Sequence, residues 1–150
     1  MTEDEGRGSA VFYVLPSSLV FWLSSNSIMK KILFIEDESA LQRAVGEVLG
    51  KEGYTILSAM DGERGLEIAQ KDKPDLILLD LILPKKDGFA VLAGLQKGDD
   101  TKTIPVIVLT NLEGSTDVER ALDAGATTYL VKTNYRLEEV AQKIKGILGE

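Results

Sequence analysis

The chain contains neither cysteine nor histidine. Without cysteine it has no disulfide framework and no thiolate metal site, and a cytosolic address is permitted. Without histidine it has no Ser-His-Asp chemistry, no His-ligated zinc and no phosphohistidine of its own. Any phosphohistidine in its chemistry must belong to a partner. Long apolar runs are also missing. Ala10 to Leu23 is mostly apolar, but Pro16, Ser17 and Ser18 interrupt it. A membrane-spanning helix needs about 20 apolar residues, so no membrane span is expected. Positive charge is in deficit, with 17 Lys and Arg against 24 Asp and Glu and a net charge of −7. Such a chain is repelled by nucleic acid. The basic pairs Lys30-Lys31 and Lys85-Lys86 read as solvated surface, so no direct nucleic-acid binding is expected.

The chain has 150 residues, 44% hydrophobic and 27% charged. These values suit one soluble globular domain with a single core. Residues 1–28 do not match the rest. Glu3, Asp4 and Glu5 outnumber Arg7, whereas a signal peptide starts positive. Two readings remain: a membrane-surface or partner-binding arm, and a disordered extension or mis-assigned upstream start. The second is preferred, because Met29-Lys30-Lys31 runs directly into the first strand. Residues 29–150 are then the domain.

From residue 30 the apolar period alternates between two types. Ile32–Ile35, Tyr54–Leu57, Leu76–Leu79, Ile104–Leu109 and Thr128–Val131 read as strands. The third and fourth are apolar on successive positions, as strands covered on both faces are. Between the strands, apolar residues recur at helical spacing. Leu41, Ala44, Val45, Val48 and Leu49 mark a first helix, with Ser39-x-x-Gln42 as its capping box and Gly53 as its stop. Leu66 and Ala69 mark a second after Asp61-Gly62. Val91, Leu92 and Leu95 mark a third. Val118, Ala121 and Leu122 mark a fourth, capped by Thr116-x-x-Glu119. Leu137, Val140, Ala141, Ile144, Ile147 and Leu148 mark a fifth. This βα alternation is that of an α/β fold with a mainly parallel sheet covered on both faces. In such sheets, sites form at the carboxyl ends of strands.

At those ends the sequence turns polar. The first strand runs into Glu36-Asp37-Glu38, the third into Asp80, the fourth into Thr110 and the fifth into Lys132. If strands one and three are neighbours, Glu36, Asp37 and Asp80 converge and repel one another. Protonation or a hard cation relieves that repulsion. Oxygen ligands without His or Cys favour Mg²⁺. The competing reading is that each acid caps the next helix, which is preferred for Glu38 and stays open for Asp80 alone. Lys132 closes an apolar strand, where its ammonium needs anions, or it snorkels to solvent. Thr110 can donate its hydroxyl to a phosphate oxygen or cap a helix. Jointly the placement favours a phosphate site.

Over residues 30–148 the chain resembles the receiver domain of two-component response regulators. The resemblance rests on four segments in order: Phe34-Ile-Glu36-Asp37-Glu38, Asp80-Leu-Ile-Leu-Pro84-Lys-Lys-Asp87-Gly88, Pro105-Val-Ile-Val-Leu-Thr110 and Gly125-Ala-Thr-Thr-Tyr129-Leu-Val-Lys132. It implies a flavodoxin-like (βα)5 doubly wound parallel sheet with strand order 2-1-3-4-5. It implies that Asp80 accepts a phosphoryl group from a sensor histidine kinase or histidine phosphotransfer protein. Asp37 and Asp80 would coordinate Mg²⁺ directly, Glu36 through water, and the Ile82 backbone carbonyl would be a further ligand. Lys132 would contact the phosphoryl oxygens, with Thr110 and Tyr129 as switch residues. Helix four, strand five and helix five would signal to a downstream effector, with homodimerisation on phosphorylation as one form of output. The chain would be a phosphoacceptor that promotes its own phosphorylation and dephosphorylation, not a turnover enzyme. A cytoplasmic, single-domain regulator is expected, since the chain ends just after helix five.

Some positions depart from the family pattern. Thr133 stands where a cis proline often follows the lysine, so this loop is expected to be looser or simply trans. Glu36 replaces the commoner Asp of the acidic pair. Asn111 follows Thr110 where small residues are usual, narrowing access to the phosphate. Ile82 and Leu112, two positions after Asp80 and Thr110, cannot orient a water, so a long-lived phosphoryl group is expected. A flavodoxin-like electron carrier is rejected because Glu36-Asp37-Glu38 would repel a flavin phosphate. An aspartyl phosphatase is rejected because Ile82 occupies the place of its second acid. The alternative kept is a phosphorylation-independent receiver-like interaction module.

Overall fold

The computed structural model describes residues 14–19 and 29–150. Most of the amino-terminal stretch read as an extension therefore lies outside the described residues. From Lys31 the order is β1 (Lys31–Ile35), α1 (Ser39–Lys51), β2 (Thr55–Ala59), α2 (Gly62–Asp72), β3 (Leu76–Leu79), α3 (Gly88–Lys97), β4 (Val106–Thr110), α4 (Ser115–Asp123), β5 (Thr128–Val131), a 3₁₀ turn (Lys132–Asn134) and α5 (Leu137–Leu148). The five strands form one sheet in the order β2-β1-β3-β4-β5, and every neighbouring pair is parallel. This is the doubly wound, flavodoxin-like architecture with the expected strand order.

The pleat sorts the core into two layers, because successive strand side chains point to opposite faces. Ile32, Phe34, Leu76, Leu78, Ile107 and Leu109 pack with Val45 and Leu49 of α1 and Val140, Ala141 and Ile144 of α5. Leu33, Ile35, Ile77, Leu79, Val106 and Val108 pack on the other face with residues of α2, α3 and α4. All residues of β3 are buried, which is why its sequence is apolar without alternation. The edge strand β2 exposes Thr55 and Ser58.

Helix starts follow local side-chain chemistry in three cases, one being α5, where Glu139 Oε1 accepts from Arg136 N at 2.8 Å. Asp61 Oδ1 accepts from Arg64 N at 2.7 Å, and Asp87 Oδ1 accepts from Ala90 N at 2.9 Å. The two expected caps at Ser39 and Thr116 do not form. Helix α1 already includes Ser39, and its N-cap, Glu38, makes no side-chain cap bond. Gln42 instead turns inward to the strand ends, where buried carbonyls need donors more than a solvated helix end does. Helix α4 starts at Ser115 behind Gly114, again with no side-chain cap bond. Two strands also start later than expected, β2 at Thr55 and β4 at Val106. Tyr54 remains buried, and its hydroxyl donates to Glu150 Oε1 at 2.6 Å.

Close packing of α2 on the sheet depends on Gly65. A Cβ there would lie 2.5 Å from Ile35 Cδ1, whereas one on Gly46 of α1 would meet nothing within 4 Å. We expect Gly65→Ala to lower stability by about 1–3 kcal/mol through overpacking. Gly46→Ala should raise it by about 0.5–1 kcal/mol by reducing unfolded-chain freedom. Urea unfolding of both variants checks the opposite signs.

Candidate functional site

Pairing of the central strands brings two acids together. Glu36 follows β1, and its N–H donates to Ala59 O at 2.9 Å; Asp80 follows β3, and its N–H donates to Ile35 O at 3.0 Å. Both side chains are buried, Glu36 at 1% exposure and Asp80 at 5%. Asp37 is exposed, yet one carboxylate oxygen from each of Glu36, Asp37 and Asp80 lies within 4.8 Å of the others. Lys132 enters from the 3₁₀ turn after β5. Its Nζ donates to Asp80 Oδ2 at 3.0 Å and lies 2.6 Å from Glu36 Oε1. The second contact is a short ion pair that the Glu36 carboxylate makes through Oε1. Glu36 Oε2 accepts from Glu38 N at 3.0 Å, and Asp80 Oδ1 accepts from Ile82 N at 3.3 Å. Glu36, Asp37, Asp80 and Lys132 are thus one cluster, and the capping role left open for Asp80 is filled by Asp87.

Thr110 ends β4 between the acids and Lys132 in strand order. It is fully buried, and its Oγ1 has no partner within the protein. Tyr129 packs against the core layer under α2 to α4, and its hydroxyl donates to Leu112 O at 2.8 Å. The aromatic side chain is thereby tied to the loop that follows Thr110. Ile82 is 57% exposed, and Leu112 is partly buried against the core. Among the described residues every peptide bond is trans, so Lys132-Thr133 takes the trans form.

Burial and charge set the ionisation of the cluster. Burial pushes the Glu36 carboxyl above its ordinary value, and Asp80 adds to the rise; the Lys132 ammonium and the Glu38 N–H oppose it. For Lys132 burial works against the charge, but Glu36 and Asp80 outweigh it and hold the ammonium above its ordinary value. Burial, with Asp117 and Asp80, raises the Tyr129 phenol. The donor set is all oxygen, and its three acids crowd one another with a single ammonium between two of them. Those properties fit a hard divalent cation such as Mg²⁺.

Three supporting features were not legible in the sequence. Gln42 Nε2 donates to Phe34 O, Glu36 O and Ala59 O at 3.0, 3.1 and 3.1 Å; its helical spacing signalled a cap instead. Gly88 seats the loop after Asp80, since a Cβ would lie 2.5 Å from both Asp80 O and Leu81 Cα. The guanidinium of Arg120 on α4 stands 3.8 Å from the centre of the Phe89 ring on α3, a cation–π contact without a sequence signature.

Comparison with known proteins agrees with this geometry. The family model described as "Response regulator receiver domain" matches residues 32–145. The transcriptional regulator RpaA of Synechocystis sp. is 39% identical over 120 residues, covering 80% of this chain and 49% of that protein. The chain spans about half the length of the first curated relatives it matches. The receiver domain of sensor histidine kinase PA1611 from Pseudomonas aeruginosa PAO1, solved with magnesium ion coordinated in its active-site cleft, superposes with a TM-score of 0.75. It is 27% identical, covering 82% of this chain and 100% of that one. The Mn²⁺-bound response regulator Rcp1 has a TM-score of 0.67 and 36% identity, covering 79% of this chain and 91% of that one. With a family match over most of the chain, and the acidic cluster at the strand ends, this chain belongs to the response regulator receiver domain family.

Proposed function

We propose that Asp80 accepts a phosphoryl group in a Mg²⁺-dependent reaction, with a histidine kinase or histidine phosphotransfer protein as donor. The observation that carries this reading is the Lys132 ammonium set between Glu36 and Asp80, with Asp37 beside them. Glu36, Asp37, Asp80 and the Ile82 carbonyl would hold the ion. When bound, it supplies charge neutralisation for the acids and the phosphoryl oxygens.

The chain's own groups do the rest by positioning and charge. A carboxylate oxygen of Asp80 forms the new bond to phosphorus. The bond between phosphorus and the donor breaks, and its electron pair leaves with the donor. Asp80 Oδ1 is oriented by the Ile82 N–H and Oδ2 by Lys132. The product carries more negative charge than the carboxylate it replaces. Lys132 is placed to offset that charge, and the partnerless Thr110 hydroxyl is a free donor for a phosphoryl oxygen. Movement of Thr110 would be felt through Leu112 by Tyr129 on β5. The output surface in this reading is α4, β5 and α5, read by a downstream effector or a second copy of the chain. Helix α4 suits that role because only Ala121 in it is buried, so its position is weakly held. No helix among the described residues is long and apolar enough to cross a membrane, which is compatible with a cytoplasmic setting.

Incubation with acetyl phosphate and Mg²⁺, read by intact mass, tests the assignment. One phosphoryl adduct is expected, lost in Asp80→Asn; an adduct that survives that substitution would sink it. Lys132→Ala should slow adduct formation by about 10²-fold, as removal of a preorganised charge contact does.

Dephosphorylation gives a second test. Ile82 and Leu112 offer no group to orient an attacking water, so the adduct should persist for minutes or longer. Ile82→Gln should shorten its life by about tenfold. Loss from the wild type within seconds would count against this expectation.

The Glu36 shift gives a third. Its folded pKa lies above its ordinary value of 4.5. Its contribution to stability is therefore full below that pH and is lost as pH rises through the folded pKa. In metal-free buffer the urea midpoint of Glu36→Gln should increasingly exceed that of the wild type across this rise. The same substitution should weaken Mg²⁺ binding.

A further inference from the structure

Helix α1 contributes one side chain to the strand ends, and it is a buried amide. Gln42 is 8% exposed. Its Nε2 lies 3.0 Å from Phe34 O, 3.1 Å from Glu36 O and 3.1 Å from Ala59 O. An amide nitrogen has two hydrogens, so three carbonyls share them. Reversing the amide would set Oε1 against the same carbonyls, so the contacts themselves fix its orientation. As oriented, Oε1 is buried without a partner within the protein. An orphaned buried carbonyl is destabilising. The amide nitrogen's three carbonyl contacts have to offset that cost.

The three carbonyls share a location. Phe34 and Glu36 flank the last residue of β1, and Ala59 is the last residue of β2. Glu36 O belongs to the peptide that joins Glu36 to Asp37. That peptide's orientation decides where both acids point, because Glu36 lies on one side of it and Asp37 on the other. Glu36 N is held by Ala59 O at 2.9 Å, and Gln42 holds the next carbonyl along. Helix α1 is locked to the same place, since Gln42 N donates to Glu38 O at 3.0 Å and Glu38 N to Glu36 Oε2 at 3.0 Å. Asp37 itself is exposed and is aimed by the peptide that precedes it.

We propose that Gln42 is a positioning residue for the acidic pair, holding the Glu36–Asp37 peptide so that both carboxylates face Asp80 and bind Mg²⁺ together. This rests on the metal-dependent acceptor reading. Supporting groups behind metal ligands commonly govern affinity about 10–100-fold.

The test is calorimetric titration of Mg²⁺ alone into the full chain, without phosphodonor. Gln42→Met keeps length and removes both donors; it should weaken Mg²⁺ binding about tenfold. Gln42→Asn keeps the amide but is one methylene shorter; it should give a smaller loss and carries the test should Gln42→Met not fold. Val45→Ala, in the same helix and also buried in the core, should lower the melting temperature and leave Mg²⁺ affinity unchanged. With acetyl phosphate, the Gln42 variants should need more Mg²⁺ for half-maximal rate yet approach the wild-type rate at saturation. Unchanged Mg²⁺ affinity in the Gln42 variants would overturn the proposal, as would an equal loss in Val45→Ala. Absence of any Mg²⁺ binding in the wild type would instead defeat the acceptor reading beneath it.

Discussion

The site depends on one ammonium group. Pairing β1 with β3 in parallel sets Glu36 and Asp80 side by side at the same rim, both buried. Two carboxylates so placed repel, and burial sharpens the repulsion. Lys132 answers both, from a turn that follows the sheet's far edge strand. Its side chain reaches across the end of β4, where Thr110 sits, to the acids of β1 and β3. A cation held by two anions from different strands ties the rim together. It also leaves the site poised, because any group that adds negative charge at Asp80 competes for the same ammonium.

The two core layers support this rim unequally. On one face α1 and α5 pack against alternating residues of the three central strands, and Gln42 joins α1 directly to the strand ends. On the other, α2 lies close because Gly65 admits Ile35, and α3 starts close because Gly88 admits the loop after Asp80. Helix α4 has much less buried surface, and its guanidinium contact to Phe89 links it to α3. Rigid elements therefore surround the acids, while the least anchored helix lies beyond Thr110 and Tyr129. That gradient is what the proposed acceptor role would use, with rigid elements at the acids and a weakly held helix beyond them.

Much of this was legible in the chain. Apolar runs at Leu76–Leu79 and Ile104–Leu109 announced central strands, since strands covered on both faces are apolar on successive positions. Glu36, Asp37, Asp80, Thr110 and Lys132 could be nominated because strand ends in such sheets carry sites. The misreadings have a common cause. Ser39-x-x-Gln42 and Thr116-x-x-Glu119 have the spacing of capping boxes, but spacing does not say what competes for the side chain. Gln42 found three buried carbonyls, and α4 began one residue ahead of Thr116. Strand starts at Tyr54 and Ile104 moved because apolar character marks burial, not ladder pairing.

The order of polar and apolar residues by itself determined an α/β sheet, its two buried faces and the set of groups delivered to one rim. It did so because period and burial are local properties of the chain. The contacts that make the rim a site were decided only by tertiary structure. Lys132 lies 52 residues from Asp80, and nothing local aims its ammonium at two acids. The same holds for Gln42, whose choice between helix end and strand end depends on which donors the folded interior lacks. Distances among groups that the chain keeps far apart are set by packing, and packing is a property of the whole fold.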